Sequence, residues 1–317
     1  MRRDFNSDES MKKIVIAGGS GFLGQILVRL FPKSEAEFVI LSRRSSNKKD
    51  LGRFVFWDAC NKGDWIKELK GAEALINLTG YSIDCRHSEK NRQMILSSRL
   101  ESTRVLGEAI RSLTSPPKVW LNASTVALYL ELPDADISKN EESKEMAKGF
   151  LADVGRAWEE VFFSARRENF RQVAMRIGIV LGKEGGAYPV MKKFTSLGLG
   201  GTQGTGRQWM SWLHADDWVE IVRFLIQEES ISGKVNLVSP NPITNADFMS
   251  EMRRLHSPFG LGLPAPTPLV YLGGFLLDTA PELILKSQKV ISKVLKDSKY
   301  RFQHIKIATA LDALSKD

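Results

Sequence analysis

Cysteine is scarce in this chain: only Cys60 and Cys85 occur among 317 residues. Two cysteines cannot form the disulfide framework of a small secreted protein, and their spacing does not match a metal site. The sequence therefore predicts two reduced thiols, no metal site and a cytoplasmic location.

Long apolar runs are also missing. The first ten residues, MRRDFNSDES, are polar and lack the apolar core of a signal peptide, so we predict a disordered leader over residues 1–11. The most apolar late stretch, residues 269–277, is about half as long as a membrane span and is followed by Asp278 and Glu282. We therefore expect no membrane partner.

The excess of positive charge is modest and is not concentrated in one segment. The chain has 45 Lys and Arg against 37 Asp and Glu, for a formal net charge of +8. The basic residues form no long run and no stripe interleaved with aromatic residues, so we predict no nucleic-acid partner. A surface that attracts anionic small molecules is the alternative we prefer.

The first half of the chain alternates short β-branched runs with helical patterns. This alternation predicts a parallel sheet covered by helices on both faces, and so an α/β fold. Predicted strands cover residues 12–17, 38–42, 53–57, 74–79, 119–124, 173–181 and 235–238. Predicted helices cover residues 21–30, 90–112, 150–169 and 216–227.

The character of the sequence changes after Gly182, where glycine-rich loops begin. We predict a dinucleotide-binding domain over residues 12–182, to which residues 207–240 return. Residues 183–206 and 241–317 would form a smaller, mostly helical module on the substrate side. A proline-rich segment at residues 264–268 resembles a hinge into the C-terminal part.

The first predicted strand leads into the segment Gly18-Gly-Ser-Gly-Phe-Leu-Gly24. In such a turn, Gly18 would allow the chain to leave the strand sharply, Gly21 would let the backbone approach a pyrophosphate, and Gly24 would allow close packing. The helix that follows presents free N–H groups to the phosphates. We expect Gly18, Ser20, Gly21, Phe22, Leu23 and Gly24 to contact a dinucleotide.

The end of the second strand indicates which dinucleotide. A site for NAD usually has an acidic residue there, which hydrogen-bonds the 2′-hydroxyl of the ribose. This chain has Ser42, Arg43 and Arg44 instead. Two guanidinium groups and a hydroxyl suit a 2′-phosphate, so we predict that the cofactor is NADP(H).

With these motifs placed, the chain resembles the extended short-chain dehydrogenases/reductases. It is most similar to an atypical, sugar-nucleotide epimerase-like branch, some of whose members carry a cell-division-inhibitor label. The resemblance implies a Rossmann-type, doubly wound sheet with a small C-terminal module. Its motifs are the glycine turn, Asn77-Leu-Thr-Gly80, Ser98-Arg99, Arg176-Ile-Gly-Ile-Val-Leu-Gly182, Gly198-Leu-Gly-Gly201, Gly206-Arg-Gln-Trp-Met-Ser-Trp-Leu-His-Ala-Asp-Asp217, Thr244-Asn-Ala-Asp-Phe248 and Ser287-Gln-Lys-Val290.

The resemblance also implies further cofactor contacts. Leu78 and Thr79, after the fourth strand, would line the ribose and nicotinamide, and Val180 would approach the nicotinamide from the end of the sixth strand. Arg99 could reach a phosphate, or could be a solvated arginine on a helix face.

The Tyr-x-x-x-Lys pair that most of these enzymes use for proton transfer is absent from helix 150–169. No tyrosine occurs between Tyr129 and Tyr188, and the literal match at residues 188–192 follows the wrong strand. The resemblance leaves Ser124 to orient a substrate oxygen. Tyr129 is the one tyrosine that we nominate as a proton donor, and the alternative that we prefer for it is a role in packing.

The tryptophan-bearing segment gives one candidate substrate contact. Arg207 would hold an anionic group in the cleft, whereas Trp212 and His214 would pack against the sheet, with Asp216 and Asp217 capping the next helix. Two functions remain open. One is an NADP(H)-dependent oxidoreductase or epimerase acting on a hydroxylated small molecule that can be anionic. The other is a catalytically silent sensor or scaffold. The oligomeric state is left open.

Overall fold

The computed structural model describes residues 11–44, 49–131, 138–168 and 170–316. The leader predicted over residues 1–11 lies outside this part of the chain, apart from the exposed Met11. All structural statements below refer to the described residues.

The strands alternate with helices along the first 240 residues. The strands are β1 (Lys12–Ala17), β2 (Ala36–Ser42), β3 (Arg53–Phe56), β4 (Ala74–Asn77), β5 (Val119–Thr125), β6 (Arg171–Ile177), β7 (Ile179–Gly182), β8 (Gly185–Gly186), β9 (Trp209–Met210), β10 (Trp212–His214), β11 (Gly233–Leu237) and β12 (Ile243–Thr244).

Helices follow most of these strands and make up much of the C-terminal part. The helices are α1 (Phe22–Leu30), α2 (Ile66–Leu69), α3 (Glu89–Ser112), α4 (Phe150–Ser164), α5 (Ala187–Ser196), α6 (Ala215–Gln227), α7 (Asn245–His256), α8 (Thr267–Leu276), α9 (Glu282–Leu285), α10 (Lys293–Asp297) and α11 (Ile307–Ser315). Within the described ranges, no helix is both long enough and apolar enough to cross a membrane.

Seven parallel strands form the central sheet, in the order β11-β6-β5-β4-β1-β2-β3. The chain winds from β1 to β3 in one direction and from β4 to β11 in the other. Strand order therefore reverses between β1 and β4, where Ile14 pairs with Ala74. Ligands of open α/β sheets bind beyond the carboxyl ends of the strands at such a switch point. The predicted Rossmann-type fold is confirmed.

The helices cover opposite faces of the sheet. On one face, α1 and α6 pack over a core that includes Leu27 and Val222. On the other face, α3 and α4 pack over a second core that includes Leu106 and Phe162. The helix α3 begins after Ser88, whose Oγ accepts a hydrogen bond from the N–H of Asn91 at 3.3 Å, as an N-cap serine does.

The single strand predicted over residues 173–181 is wrong, because the chain forms two strands in two different sheets. The first part, β6, ends at Ile177 in the central sheet. After Gly178 the chain turns into β7, which pairs with β10. A Cβ on Gly178 would lie 2.5 Å from the carbonyl oxygen of Ser211, so only glycine allows this crossing of the two chain segments.

Two other predicted elements extend too far at their C-terminal ends. The strand β4 ends at Asn77 rather than at Thr79, because the Asn77 side chain accepts the N–H of Thr79 at 3.1 Å and the chain turns there. The helix α4 ends at Ser164, and its predicted last residue, Asn169, lies outside the described residues.

The C-terminal part is joined to the sheet at several places. Helices α5, α7 and α11 form a third core with Tyr188, Phe248 and Leu311. The short strand β12 pairs with β9. Residues 207–240 supply β10 and β11, of which β11 returns to the central sheet beside β6. This arrangement places the C-terminal part next to the carboxyl edge of the sheet.

Candidate functional site

The glycine turn after β1 has the conformation that the sequence predicts for Gly18. This residue has a φ of +77°, and a Cβ on it would lie 2.9 Å from the backbone of Leu78 and Thr79. Glycine is also required at position 24, because a Cβ there would lie 2.5 Å from the backbone of Gly19 in the same loop. The loop, the first helix and the end of β4 are thereby in direct contact.

Gly21 differs from the other two glycines of the motif. Among the described residues, the nearest atom to a Cβ placed on Gly21 is the carbonyl oxygen of Gly18 at 3.5 Å, so this packing does not require glycine there. Gly21 is the N-cap of α1, and no side chain caps this end of the helix. The first N–H groups of α1 therefore face an open space where an anion could approach the backbone closely.

The side chains that follow Gly21 are held by packing. The ring of Phe22 fills the space left by Gly182, where a Cβ would lie 2.9 Å from the ring. The carbonyl oxygen of Leu23 accepts a hydrogen bond from the indole N–H of Trp218 at 3.1 Å. The exposed Ser20 lies at the tip of the loop, and its carbonyl oxygen accepts from Gln25 at 2.7 Å. Ligand contacts of Phe22 and Leu23 would come mainly from their N–H groups.

The basic residues after β2 lie beside the glycine turn. The N–H of Gly18 donates to the carbonyl oxygen of Leu41, which places the end of β2 next to the loop. Ser42 Oγ accepts from the N–H of Arg44 at 3.2 Å. Arg43 and Arg44 are both exposed, and no carboxylate in the described parts of the chain pairs with either guanidinium group. Both side chains are free to bind an external anion.

The carboxyl end of β4 carries a buried hydroxyl without a partner. The N–H of Leu78 donates to Ala17 at 2.8 Å, so this end lies against β1. Thr79 Oγ1 is removed from solvent, yet no group in the described residues hydrogen-bonds to it. Buried hydroxyl groups normally have a partner. This oxygen is therefore a candidate contact for a bound ligand.

Arg99 on α3 also reaches the end of β4. Its Nη1 donates to the carbonyl oxygens of Tyr81 at 3.0 Å and Ile95 at 2.9 Å. The guanidinium carbon lies 5.1 Å from the ring centroid of Trp158 and occupies the space that a Cβ on Gly80 would need. The guanidinium of this half-buried arginine packs between α3 and α4, and its contact with a phosphate stays a prediction.

Val180 does not lie where it was predicted. It is in the middle of β7 rather than at the end of β6, and its side chain is buried in the core under α1 and α6. The residue at the end of β6 is Ile177, which is half-buried. The predicted position at the end of the sixth strand is therefore wrong, whereas the contact of Val180 with a ligand stays a prediction.

Ser124 and Tyr129, the two candidate catalytic residues, belong to a closed polar network. Ser124 Oγ donates to Glu159 at 2.6 Å, and Glu159 receives two hydrogen bonds of 2.7 Å from Arg176. Arg176 Nη1 donates to the hydroxyl of Tyr129 at 2.8 Å, and that hydroxyl donates to Asn236 at 2.8 Å. The network joins β5, β6, β11 and α4 beneath the carboxyl edge of the sheet.

The network changes the interpretation of Tyr129. Its side chain is fully buried, and both hydrogen-bonding directions of its hydroxyl are used inside the protein. Burial raises the pKa of Tyr129, although the charge of Arg176 opposes the shift. Burial would lower the pKa of Arg176, but its bonds to Glu159 raise it instead, so this guanidinium stays charged. The burial and the two hydrogen bonds of Tyr129 favour the packing interpretation, and its role as a proton donor stays a prediction.

Ser124 is likewise enclosed, with 5% of its surface exposed. Its hydroxyl proton is used on Glu159, so it orients the carboxylate rather than a substrate oxygen. The neighbouring Thr125 is half-buried and accepts from the N–H of Ala127 at 3.1 Å. A Cβ on Gly155 of α4 would lie 2.9 Å from Thr125, so α4 packs closely against the end of β5.

The literal Tyr-x-x-x-Lys match at residues 188–192 is structural, as the sequence indicated. Tyr188 is 1% exposed, and its hydroxyl lies 3.0 Å from His256 Nε2. Although a proline disfavours a helical conformation of the residue before it, Tyr188 is helical, because α5 starts at Ala187. Proline is tolerated in the first turn of a helix, where its missing N–H has no partner to lose.

Arg207 is exposed, on the loop between α5 and β9, and no carboxylate in the described parts of the chain pairs with it. The adjacent Gln208 is buried and donates to the carbonyl oxygen of Gln203 at 2.8 Å. Trp209 is half-buried, with the ammonium group of Lys289 at 4.1 Å from its ring centroid. The structure therefore leaves Arg207 available to an anion but does not bring it to the glycine turn.

Trp212 and His214 are buried, as the packing interpretation predicts. The cap of α6 is His214, whose Nδ1 accepts the N–H of Asp216 at 3.1 Å, so the predicted capping by the two aspartates is wrong. Asp217 instead accepts the N–H groups of Gln303 and His304 at 2.8 and 2.9 Å. These bonds attach the C-terminal segment to the start of α6.

Three groups around α6 resemble a set of metal ligands. His214, Asp216 and His304 place potential ligand atoms within 4.8 Å of one another. The two imidazole rings, however, are stacked with centroids 3.7 Å apart, so their in-plane lone pairs do not converge on one point. His304 Nε2 lies 3.0 Å from the carboxylate of Asp216. We interpret this cluster as a structural contact.

Comparison with known proteins supplies the family. The family model described as "NAD dependent epimerase/dehydratase family" matches residues 14–237, most of the chain. The chain belongs to this family. The predicted resemblance to the epimerase-like branch is confirmed. A second model, a domain of unknown function called DUF1731, matches residues 265–314, in the C-terminal part.

Relatives in this epimerase family cover almost the whole chain. An "Epimerase family protein" of Staphylococcus aureus (strain MRSA252) is 32% identical over 308 residues, which are 96% of this chain and 99% of the relative. The epimerase family protein YfhF of Bacillus subtilis is 33% identical over 307 residues, 96% of this chain and 98% of the relative.

Solved structures agree with the fold. The human epimerase family protein SDR39U1 (isoform 2), solved with NADPH, has a TM-score of 0.81 and 28% identity, and the match covers 96% of this chain and 99% of that one. The UDP-N-acetylglucosamine 4-epimerase of Bacillus cereus, at 18% identity and a TM-score of 0.74, is similar in fold; the match covers 96% and 98% of the two chains.

Sequence reasoning missed the members of the polar network other than Ser124 and Tyr129. Glu159 lies on the buried side of the amphipathic helix α4, and a carboxylate on that side signals a buried partner. The unpartnered state of Thr79 Oγ1 leaves no trace in the sequence, because it depends on the turn after β4. In this epimerase-family chain, the structure brings together Gly18, Gly21, Thr79 and Arg99, with Arg43 and Arg44 beside them.

Proposed function

We propose that this epimerase-family protein binds NADP(H) at the switch point between β1 and β4 and transfers a hydride to or from a hydroxylated small molecule. The observation that carries the cofactor proposal is the unpartnered hydroxyl of Thr79 beside Gly18. Within the described residues, this site has a buried hydroxyl without a hydrogen-bond partner and a helix end that no side chain caps.

The residues fit a dinucleotide along its length. The N–H groups of Phe22 and Leu23 would bind the pyrophosphate, for which the bare Cα of Gly21 leaves room. Thr79 Oγ1 would hydrogen-bond the ribose or the nicotinamide. Leu78, which contacts Gly18 through its backbone, would lie against the same part of the cofactor.

The guanidinium groups of Arg43 and Arg44 support NADP(H) rather than NAD(H). They are exposed at the end of β2, where a 2′-phosphate would lie, and no acidic residue occupies this place. Ser42 Oγ could accept from or donate to the same ribose. The human relative solved with NADPH gives independent support for the phosphorylated cofactor.

When bound, the nicotinamide would accept or donate a hydride. The chain itself would bind the cofactor, exclude water at the carboxyl edge of the sheet and hold a substrate. Arg207 would attract an anionic group of that substrate. Because neither Tyr129 nor a residue of α4 offers the usual proton donor, the proton would come from the substrate itself, from water or from another residue of the cleft.

A second function is favoured by the closed polar network. The hydroxyl groups of Ser124 and Tyr129 form hydrogen bonds with Glu159, Arg176 and Asn236, so both candidate catalytic residues are engaged inside the protein. Loss of positioned proton transfer costs typically about 10²–10⁴-fold in rate. The alternative is therefore a catalytically silent NADP(H) sensor or scaffold.

The variant Thr79→Val tests the cofactor proposal. Valine keeps the shape of threonine and removes the unpartnered hydroxyl, so the free energy of unfolding of the free protein should stay the same or rise. The affinity for NADPH, measured by titration calorimetry, should fall by about tenfold. Thr114→Val, at an exposed threonine before β5, is the matched control and should change neither quantity. An unchanged NADPH affinity in Thr79→Val would remove this support.

Turnover separates the enzyme from the sensor. Purified protein is mixed with NADPH or NADP⁺ and a panel of carbonyl compounds, hydroxy acids and sugar nucleotides, and the NADPH absorbance is followed. Sustained turnover by the wild type, together with slower turnover by Thr79→Val, would support the enzymatic function. If NADPH binds and no compound is turned over, the sensor becomes the better account.

A further inference from the structure

The helix α8 exposes a stripe of apolar side chains to solvent. Five large side chains of this helix are each between 52% and 72% exposed: Leu269, Tyr271, Leu272, Phe275 and Leu276. Their spacing of three and four residues places them on one side of the helix, with Leu272 in the middle. We call this side the α8 face. Helices at the surface of globular proteins normally turn such a stripe toward the core.

The opposite side of α8 is already packed against the protein. Val270 is 7% exposed, and Gly274 is buried. A Cβ on Gly274 would lie 2.6 Å from the ring of Pro281, so α8 and the segment before α9 are in close contact. The N–H of Thr279 donates to the carbonyl oxygen of Gly274 at 3.0 Å. A rotation of α8 would therefore bury the α8 face only by exposing Val270.

Both ends of α8 are attached to other parts of the chain. Before the helix, the N–H of Ala265 donates to the carbonyl oxygen of Thr202 at 2.8 Å. After it, the carbonyl oxygen of Asp278 accepts the N–H of Arg86 at 2.9 Å, and the Arg86 guanidinium lies 4.5 Å from the ring centroid of Phe275. The α8 face is thus fixed before any partner binds, which lowers the entropy cost of association.

The exposed area suits a contact between two copies of this chain. From their exposed fractions, the five side chains of the α8 face leave roughly 600 Å² in contact with water, at the upper end for the largest apolar patch of a monomer. In an isologous contact both copies contribute the same face, so about 1,200 Å² would be buried in total. Stable interfaces begin at about this size.

The charge of α8 favours a second copy over a membrane surface. The ten residues of α8 include no Lys, Arg, Asp or Glu. In an isologous contact each residue comes close to its own counterpart, and an uncharged face brings no like charges together. Helices that lie on anionic membranes usually carry Lys and Arg on their polar side, which α8 does not. The segments outside the described ranges contain no long apolar run that could cover the α8 face.

We propose that this protein forms a homodimer in which the α8 face packs against the α8 face of a second copy. Leu272 would lie close to the two-fold axis, with Leu269 and Leu276 on either side of it. The contact involves none of the residues assigned to the cofactor, so it does not depend on the proposed function. Because the buried area is at the lower end for stable interfaces, we expect a dissociation constant of roughly 10 µM.

Sedimentation of the full chain over a range from about 1 to 200 µM tests the dimer. Leu272→Glu/Leu276→Glu would bury four carboxylates in the contact, so it should weaken association by at least about 50-fold. Leu272→Ala/Leu276→Ala removes apolar area without adding charge and should weaken association by about tenfold. At low concentration, both variants should melt within about 2 °C of the wild type, because the replaced side chains are exposed.

The control changes two exposed apolar residues elsewhere on the chain. Leu30 on α1 is 51% exposed and Ile305 is 45% exposed. Leu30→Glu/Ile305→Glu adds the same charge as the α8 variant and should dimerise as the wild type does.

A cysteine at position 272 tests the symmetry of the contact. In a Cys60→Ser/Cys85→Ser background, Leu272→Cys should form a disulfide between two copies on mild oxidation, because a residue near a two-fold axis lies close to its counterpart. Leu30→Cys in the same background should stay reduced under those conditions. A protein that forms the disulfide at position 30 and not at position 272 would contradict the proposed contact.

Two sedimentation results would overturn the proposal. One is a wild type that stays monomeric over the whole concentration range. The other is a dimer that persists in Leu272→Glu/Leu276→Glu, since the contact would then lie on another surface. Flotation with vesicles of phosphatidylcholine and phosphatidylserine decides the remaining alternative. A monomeric wild type that floats with these vesicles, and a Leu272→Glu/Leu276→Glu variant that does not, would assign the α8 face to a membrane surface instead.

Discussion

At the scale of single residues, the three glycines of the turn serve different purposes. Gly18 is required by a positive φ and by the backbone of Leu78 and Thr79. Gly24 is required by the backbone of Gly19. Gly21 has neither a positive φ nor a close backbone neighbour, so we attribute glycine at this position to a ligand. The sequence pattern alone treats all three alike.

This difference predicts the effect of Gly21→Ala. The added methyl group has ordinary van der Waals distance to the chain, so the melting temperature of the free protein should stay within about 2 °C, as for a surface substitution. The methyl group would instead lie against the pyrophosphate, so NADPH affinity should fall by about tenfold or more in a calorimetric titration.

The control for Gly21→Ala is Gly273→Ala on α8, where an added Cβ meets nothing within 4 Å. This variant should keep both stability and NADPH affinity. Should Gly21→Ala bind NADPH as the wild type does, the place assigned to the pyrophosphate is wrong.

Tyr129 gives a second prediction at this scale. Tyr129→Phe removes the hydroxyl that joins Arg176 to Asn236 and leaves buried polar groups without a partner. The free energy of unfolding should fall by about 1–3 kcal/mol, as measured in urea. NADPH affinity should be unchanged, because the network lies beneath the cofactor edge.

Tyr271→Phe removes a hydroxyl from an exposed side chain on α8 and should leave stability unchanged. A Tyr129→Phe variant that is fully stable but has lost turnover would restore Tyr129 as a catalytic residue.

At the scale of elements, the start of α6 fastens the C-terminal segment. Asp216 contacts both His214 and His304, and Asp217 accepts two main-chain N–H groups. Nδ1 of His214 accepts the N–H of Asp216 at 3.1 Å and lies 3.3 Å from the carboxylate of the same residue. These contacts favour the charged form of the Asp216 carboxylate.

These contacts predict a dependence on pH. The hydrogen bond from His214, and less strongly that from His304, lowers the pKa of Asp216 from 3.8 to about 2. A carboxyl whose folded-state pKa is depressed stabilises the protein above its unfolded pKa and loses that contribution as pH falls through the folded value. The contribution of Asp216 should therefore be lost between about pH 4 and pH 2.

The measurement compares wild type with Asp216→Asn in urea unfolding at several pH values. The difference in unfolding free energy between the two should shrink as the pH falls over that range. Burial raises the pKa of the neighbouring Asp217, which acts in the opposite direction, and Asp217 is present in both proteins. A difference that does not change with pH would contradict the assignment.

The sequence predicted the elements well where local pattern decides them. The first strand, the glycine turn and helices α1 and α3 were placed within about one or two residues, because alternating apolar residues and capping residues are local signals. The break at Gly178 was missed, because it depends on a carbonyl oxygen of Ser211, more than 30 residues away. Apolar residues continue through the break, so they resemble one strand.

The candidate site was predictable in part. The glycines and the basic residues after β2 follow from known requirements of dinucleotide binding. The burial of Tyr129 and the enclosure of Arg99 do not, since both depend on which partners the other strands and helices bring to them. A residue type can suggest proton transfer, but only its hydrogen-bond partners decide whether the proton is available.

At the scale of the whole molecule, the two directions of winding create the site. The reversal between β1 and β4 opens the carboxyl edge of the sheet, and the glycine turn, Thr79 and Arg99 meet there from three different elements. The C-terminal part lies beside the same edge, joined through β12 and the start of α6. The cofactor that we propose for this protein would bind at this edge.

The most direct test of the central claim is calorimetric titration of the wild type and of Arg43→Ser/Arg44→Ser with NADPH and with NADH. The wild type should bind NADPH at least about tenfold more tightly, and the double variant should lose about 100-fold in NADPH affinity while NADH binding changes little. Arg166→Ser/Lys234→Ser, which removes two exposed charges elsewhere, should keep the preference. Equal or tighter binding of NADH by the wild type, or a double variant with unchanged NADPH affinity, would contradict the account.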